Sequence, residues 1–116
     1  MNSQEFVNAV QLEVAKQAVD DTFRLVESPP GRKPDKELLA LATWYQNQTA
    51  TDKHFIQMLA KLTSDLALFG IMAVLDGVRV IEDDPDRGKL KLYYETESET
   101  QLLNDPTGPF LHDLIH

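Results

Sequence analysis

Residues 52–76 read DKHFIQMLAKLTSDLALFGIMAVLD, and this stretch decides the fold. Its first part has apolar side chains three and four residues apart, the spacing of one face of an α-helix: Phe55, Met58, Leu59, Leu62, Leu66 and Phe69. The opposite side carries the polar residues Lys53, Gln57, Lys61 and Asp65. Beyond Leu66 the sequence is apolar all round. We therefore predict a helix over residues 52–76 whose C-terminal part crosses the centre of the core and buries Leu68 and Ile71.

The end of this helix is marked by Asp76-Gly77-Val78, in which Gly77 is free to adopt the left-handed conformation and Val78 can fold back onto the last turn. Residues 71–81 are also compatible with an extended strand, because periodicity alone does not assign a short apolar run. The most apolar run, Leu66 to Leu75, is half of the roughly 20 residues that a membrane-spanning helix needs. We therefore expect a buried segment and no contact with a membrane.

The N-terminal part of the chain predicts two further helices separated by a linker. Residues 3–27 contain no glycine or proline, and Ser3 is suited to cap the helix that they form. The proline-rich residues 28–34 break this helix, because proline cannot continue it. Asp35 is suited to cap the next helix, over residues 35–47.

The first of these helices, over residues 3–27, is apolar around more than half of its circumference. Such a helix needs covering from two sides. Where the chain itself does not cover it, we expect a second copy to do so, in a homodimer through the first helix. The candidate contact residues are Phe6, Val10, Leu12 and Phe23.

The C-terminal part of the chain indicates β structure. Residues 89–94 alternate polar and apolar side chains as a strand does, and residues 100–104 can return as a second strand, giving a β element over residues 88–104. Two strands alone are marginally stable, so this hairpin must lie on the helices. A short helix over residues 109–116 closes the chain. The predicted fold is therefore α+β and mainly helical, a single domain in which three main helices pack with a small C-terminal β-hairpin and a short terminal helix.

Composition and charge limit the function. The chain has 116 residues, 42% of them apolar, which suits one folded domain. The 19 Asp and Glu residues outnumber the 11 Lys and Arg residues, and the formal net charge is −8. Nucleic-acid binding requires clustered cations, so we expect no DNA or RNA partner, whereas the negative field would steer a basic protein toward this one. The absence of cysteine excludes disulfides, thiolate zinc sites and thiol catalysis, and it fits a cytoplasmic protein.

Two acidic segments supply the candidate partner-binding residues. They are Glu82, Asp83, Asp84 and Asp86 in the first segment and Glu95, Glu97 and Glu99 in the second. The first segment does not fit a calcium-binding loop, because aligning Gly88 with the loop glycine places Pro85 and Arg87 where oxygen ligands are needed. Pro85 and Gly88 suit a connecting turn instead. We therefore interpret both segments as solvated loops for contact with another protein.

An alternative site lies at the C-terminus, in His112-Asp113-Leu114-Ile115-His116. Histidines four residues apart share one face of a helix, so His112, Asp113 and His116 are candidate metal ligands or acid and base groups, with His54 as a helper. The competing interpretation is that these polar residues face water while the apolar residues of a terminal helix pack.

The sequence contains no glycine-rich phosphate loop and no nucleophile elbow, and none of its motifs is specific to one family. The leading hypothesis is therefore a non-enzymatic protein-binding domain without a cofactor, of the kind found among small acidic bacterial immunity, antitoxin and adaptor proteins. The alternative, from another class, is a small metal-dependent or acid/base enzyme that uses the C-terminal histidines.

Overall fold

The computed structural model describes all residues from Met1 to His116 and confirms the predicted α+β, mainly helical fold. Its helical elements are α1 (Ser3–Val10), a π-helical segment (Gln11–Lys16), α2 (Gln17–Glu27), α3 (Lys36–Gln46), α4 (Ala50–Leu75) and a 3-10 helix (Leu111–Leu114). The strands β1 (Tyr93–Glu95) and β2 (Thr100–Leu102) pair antiparallel, with Tyr94 opposite Gln101. The hairpin and the terminal helix are thus shorter than the sequence pattern predicted.

The cap of the first helix is Asn2 and not Ser3. The Asn2 side chain accepts a hydrogen bond from the Glu5 backbone N–H at 2.8 Å, and the Glu5 carboxylate accepts one from the Asn2 N–H at 3.1 Å. The Ser3 hydroxyl instead donates to the carbonyl oxygen of Leu103 at 2.6 Å. This bond joins the start of α1 to the segment that follows the hairpin.

The helix predicted over residues 3–27 contains the π-helical segment between α1 and α2. Ala15 is buried in this segment, and its carbonyl oxygen accepts a hydrogen bond of 2.7 Å from the hydroxyl of Ser64 on α4. A π-helical segment marks a local departure from the α-helical ladder, and such departures occur where a neighbouring group bonds to the helix. Here the departure coincides with the attachment of α4.

Helix α4 ends as the sequence predicted. Gly77 has a φ of 78°, and the N–H groups of Gly77 and Val78 donate to carbonyl groups in the last turn of the helix. The helical alternative for residues 71–81 is correct as far as Leu75. Residues 76–81 form neither helix nor strand.

Two small buried clusters hold the helices together. The first joins α1, the π-helical segment, α4 and the 3-10 helix through Val7, Ala15, Leu68, Met72 and Leu111. The second joins α2 to α3 through Val26, Ala42 and Tyr45. The core therefore has two parts, one around the C-terminal end of α4 and the other between α2 and α3.

The C-terminal part of α4 is buried all round only in its last turn, where Met72, Ala73 and Val74 are all buried. Leu68 is 6% exposed, as predicted, but Ile71 is 50% exposed, so the predicted burial of Ile71 is wrong. The physical reason is that the other elements pack along the side of α4 that carries Leu68 and Met72, which leaves Ile71 at the margin of this contact. The last turn of α4 therefore enters the core, as predicted, whereas the turn that carries Ile71 is only partly covered.

The molecule is extended for its size. Its radius of gyration is 18.5 Å, whereas a compact domain of this length has about 13 Å. Its accessible surface of 8603 Å² exceeds by about a third the roughly 6,400 Å² of a compact monomer of 13.1 kDa. Much of the apolar surface of the chain is consequently left uncovered.

Asp105 organises the turn that follows the hairpin. Hydrogen bonds from the backbone N–H and from the hydroxyl of Thr107 hold the pKa of the Asp105 carboxyl below its usual value. These bonds stabilise the turn above the usual pKa of the carboxyl, and they are lost as the pH falls through the lowered pKa.

Asn104 fastens the hairpin to the end of α4. Its side-chain amide donates to the carbonyl oxygens of Leu75 at 2.6 Å and Leu90 at 2.8 Å, and its side-chain oxygen accepts from the Leu92 N–H at 2.8 Å. Asn104 is itself buried, so its bonding capacity is used within the protein.

We expect Asn104→Asp to lower the free energy of unfolding by about 2 to 3 kcal/mol, because a carboxylate has no N–H to donate and would face two carbonyl oxygens. Asn8→Asp makes the same change at an exposed site, where the side-chain oxygen still accepts from Gln4, and should cost less than about 0.5 kcal/mol. Urea denaturation measures both variants. Equal midpoints for the two would contradict the role given to Asn104.

Candidate functional site

Helix α4 exposes a row of large apolar side chains, and the last of them, Phe69, also meets the His112 ring edge to face. We call this row the outward face, and it consists of Phe55, Leu59, Leu62, Leu66 and Phe69. Their exposed fractions run from 39% at Phe69 to 64% at Leu59. The sequence pattern correctly placed these residues on one side of a helix, but that side faces solvent and not the core.

The side of α4 that meets the other helices is mixed in character: Ile56 packs against the second buried cluster, and polar side chains make further contacts. The ammonium of Lys53 lies 5.4 Å from the centre of the Tyr45 ring, and the Gln57 amide donates to the Tyr45 hydroxyl at 3.0 Å. Further along, Ser64 binds the carbonyl of Ala15. An amphipathic helix ordinarily buries its apolar side. Because much of the apolar side of α4 is left uncovered, the outward face is the strongest candidate contact surface in the molecule.

Helix α4 is long and apolar enough to cross a membrane by length and composition, and 22% of its most apolar window of 18 residues is buried. The run Leu66 to Leu75, which alone is too short to span a membrane, is the C-terminal part of this longer helix. Several bonds nevertheless hold the helix to its own chain along its length, from Gln57 to the end at Leu75.

A second exposed feature is the segment of residues 78–91, which we call the arm. Every residue of the arm is exposed, and the arm has no helix or strand. Its apolar side chains are each more than half exposed; they are Val78, Val80, Ile81 and Leu90. The Glu82 carbonyl accepts from the Arg87 side chain at 3.1 Å, and the Glu82 carboxylate accepts from the Gly88 N–H at 3.2 Å. These bonds close a turn at the tip of the arm.

The acidic residues predicted to bind a partner are all exposed. Glu82, Asp83, Asp84 and Asp86 lie in the arm, and Glu95, Glu97 and Glu99 lie at the end of β1 and in the hairpin turn. Glu99 is also 3.4 Å from the N-terminal amine of Met1. No hydrogen bond or ion pair joins the two acidic segments. They are separate surfaces of the same charge.

The C-terminal histidine His112 binds a carboxylate that the sequence interpretation did not assign to it. Its Nδ1 lies 2.6 Å from Asp76 Oδ2, and Asp76 also accepts from the backbone N–H groups of Leu111 and His112, each at 2.9 Å. The Asp76 side chain is 1% exposed. The other ring nitrogen of His112 is 3.3 Å from Asp113.

The His112 ring is further enclosed by aromatic side chains. It stacks on Phe110 and meets Phe69 edge to face. With both of its nitrogens next to carboxylates, this imidazole holds the chain terminus on the end of α4. The sequence did indicate that Asp76 needs a partner, because an acidic residue at the C-terminus of a helix interacts unfavourably with the helix dipole. It did not indicate which residue the partner is.

The shared helical face on which the predicted metal site depended does not form. The 3-10 helix ends at Leu114, so His112 and His116 are not one α-helical turn apart on the same side. The backbone of His116 instead bonds to the Gln11 side chain. His54 lies near the other end of α4, about 33 Å along the helix from Asp76. No three His, Asp or Glu side chains are arranged to hold a metal ion.

Of the residues predicted for a homodimer through the first helix, the structure leaves only Leu12 exposed, at 55%. Phe6 and Val10 pack against the first buried cluster, and Phe23 packs against the second. An open groove of about 400 Å³ between α2 and α4 is lined mainly by polar side chains such as Asp20, Arg24 and Gln57.

Comparisons of the chain with protein-family models, with curated proteins and with solved structures gave no match. The function must therefore be argued from the geometry of this chain, whose exposed features are the outward face and the arm.

Proposed function

We propose that this protein is a non-enzymatic, cytoplasmic protein-binding domain whose arm recognises a basic partner protein, as an immunity, antitoxin or adaptor protein would. The observation that carries this proposal is the combination, in one exposed segment, of four apolar side chains and four carboxylates. Soluble domains rarely expose contiguous apolar side chains without a contact to make. Neither nucleic acid nor a membrane is part of the proposal.

The charge at the tip of the arm favours a basic partner, whereas the arm as a whole also contains the cations Arg79, Arg87, Lys89 and Lys91 and has no net charge. Residues 82–86 carry four carboxylates and no cation, on a chain with a net charge of −8. Such a field raises the rate of encounter with a cationic surface, while the apolar side chains on either side of the tip supply contact area. The turn closed by Glu82 holds the tip in one conformation before binding, which reduces the entropy lost on association.

An arm variant without carboxylates tests the proposal. In it, Glu82→Gln, Asp83→Asn, Asp84→Asn and Asp86→Asn remove four negative charges. The matched control removes four exposed carboxylates from the helices, through Glu13→Gln, Asp20→Asn, Glu27→Gln and Glu37→Gln. We expect the wild type and the control to retain the same basic protein from native lysate at low salt, and the arm variant to lose at least about tenfold of it.

The salt dependence of capture provides a second measurement. Retention should fall as the ionic strength rises, since exposed charges are screened over about 10 Å at 0.1 M salt. If no protein is retained by the wild type at any salt concentration, the protein-binding function is wrong. If the arm variant and the helix control retain the partner equally, the partner does not contact the arm.

A further inference from the structure

We propose that a second copy of this chain covers the outward face of α4, in an antiparallel homodimer whose two-fold axis passes near Leu62. This inference concerns α4, whereas the proposed function concerns the arm, so each can fail while the other holds. It also places the dimer contact on a different helix from the one that the sequence pattern favoured.

The uncovered area fits a stable homodimer. The chain exposes roughly 2,200 Å² more than a compact monomer of 13.1 kDa. Obligate homodimers bury about 2,000 Å² or more in total, which is about 1,000 Å² from each chain, and their interfaces are apolar like a protein core. The outward face of α4 contributes to this excess through five large apolar side chains that are 39% to 64% exposed.

The spacing of the outward face fits a second α-helix. Phe55, Leu59, Leu62, Leu66 and Phe69 follow one another at intervals of four, three, four and three residues, the repeat of two-helix coiled coils. The order of side chains, Phe-Leu-Leu-Leu-Phe, is the same in both directions. A copy running the opposite way therefore presents side chains of matching size, and a two-fold interface needs such self-complementarity.

Charge favours the antiparallel arrangement. The four carboxylates at the tip of the arm follow the C-terminus of α4, so parallel helices would place the two arm tips side by side. Antiparallel helices place the tips at opposite ends of an element about 39 Å long, where the repulsion is screened. The dipoles of two antiparallel helices also oppose one another, which is the favourable orientation.

The first helix offers less for such a contact. Phe6, Val10 and Phe23 are already packed within the chain, and Leu12 remains as the exposed member of that set. Leu12 and Leu62 are both 55% exposed, so the same substitution at the two positions compares the two surfaces directly.

Sedimentation equilibrium of the full chain tests the homodimer. We expect the wild type to have twice the 13.1 kDa mass of the chain. Leu62→Lys, which brings two charges together at the two-fold axis, should raise the dissociation constant by at least about 100-fold. Leu12→Lys should change it by less than about threefold. Added salt should strengthen the dimer, because it screens the repulsion between two acidic copies.

A distance measurement tests the orientation and does not depend on a destabilising variant. The chain has no cysteine, so a nitroxide on His54→Cys labels one exposed position near the start of α4. In the antiparallel dimer the two labels are separated by about 24 Å along the helix axes, whereas parallel helices would bring them side by side.

Four results would each overturn the proposal. They are a wild type that is monomeric at all concentrations, an equal effect of Leu12→Lys and Leu62→Lys, adjacent nitroxides at position 54, and flotation of the wild type with phosphatidylcholine vesicles. The first indicates a different protein as the occupant of the outward face, and the last indicates a membrane.

Discussion

Asp76→Ala should lower the free energy of unfolding by about 3 to 5 kcal/mol, the cost of removing the common acceptor from a buried group of hydrogen bonds. The Asp76 carboxylate is 1% exposed and accepts hydrogen bonds from two backbone N–H groups and from the His112 ring. Without it, these three donors are left unpaired next to the end of α4, and the 3-10 helix loses its attachment. Urea denaturation followed by circular dichroism measures the loss.

Two further variants show whether this loss comes from the buried acceptor. Asp76→Asn keeps the shape and one acceptor oxygen, so it should cost about half as much as Asp76→Ala. Asp113 also approaches His112, but its side chain is 66% exposed, and Asp113→Ala should cost less than about 0.5 kcal/mol. If Asp113→Ala were as damaging as Asp76→Ala, the buried pair would not be what holds the terminus.

Leu68→Ala should cost about 2 to 5 kcal/mol, because it opens a cavity in the first buried cluster between α4 and the 3-10 helix. Ile71→Ala removes a side chain of equal size from the same helix, but Ile71 is half exposed, and its loss should cost less than about 1 kcal/mol. Urea midpoints of the two variants give the comparison.

Lys61→Ala is the control for this pair, since it tests alanine at an exposed site on the same helix. Its exposed ion pair with Asp65 contributes little, so its midpoint should lie close to that of the wild type. If Ile71→Ala and Leu68→Ala lowered the free energy of unfolding equally, the Ile71 side chain would be covered in solution. That result would contradict its 50% exposure in the structure.

The helices were predictable from the sequence because their signals are local. Caps and breakers placed the ends of α3 and α4 within about two residues, and the left-handed Gly77 closed α4 as its sequence indicated. The identity of the first cap was predicted less well, because Asn2 and Ser3 both suit the position and the choice depended on a bond from Ser3 to the distant Leu103.

The direction in which α4 faces was not predictable in this way. Periodicity shows that a helix has an apolar side, but it does not show whether that side meets the same chain or another one. The contacts that decided the matter, such as Gln57 with Tyr45 and Ser64 with Ala15, join residues far apart in sequence. Asp76 was missed for the same reason, since its partners lie 35 and 36 residues away.

The residues of the arm tip, which we propose to bind a partner, are not the residues whose contacts hold the fold together. The segments on either side of it are held by bonds that do not involve its tip, from Ser3 to Leu103, from Asn104 to Leu75 and from Leu111 to Asp76. Exposed segments of this kind tolerate insertions and changes of length. The arm can therefore diverge in sequence, or accept an inserted peptide, while the helices remain folded. Under the proposed function, recognition is free to change without a matching change in the core.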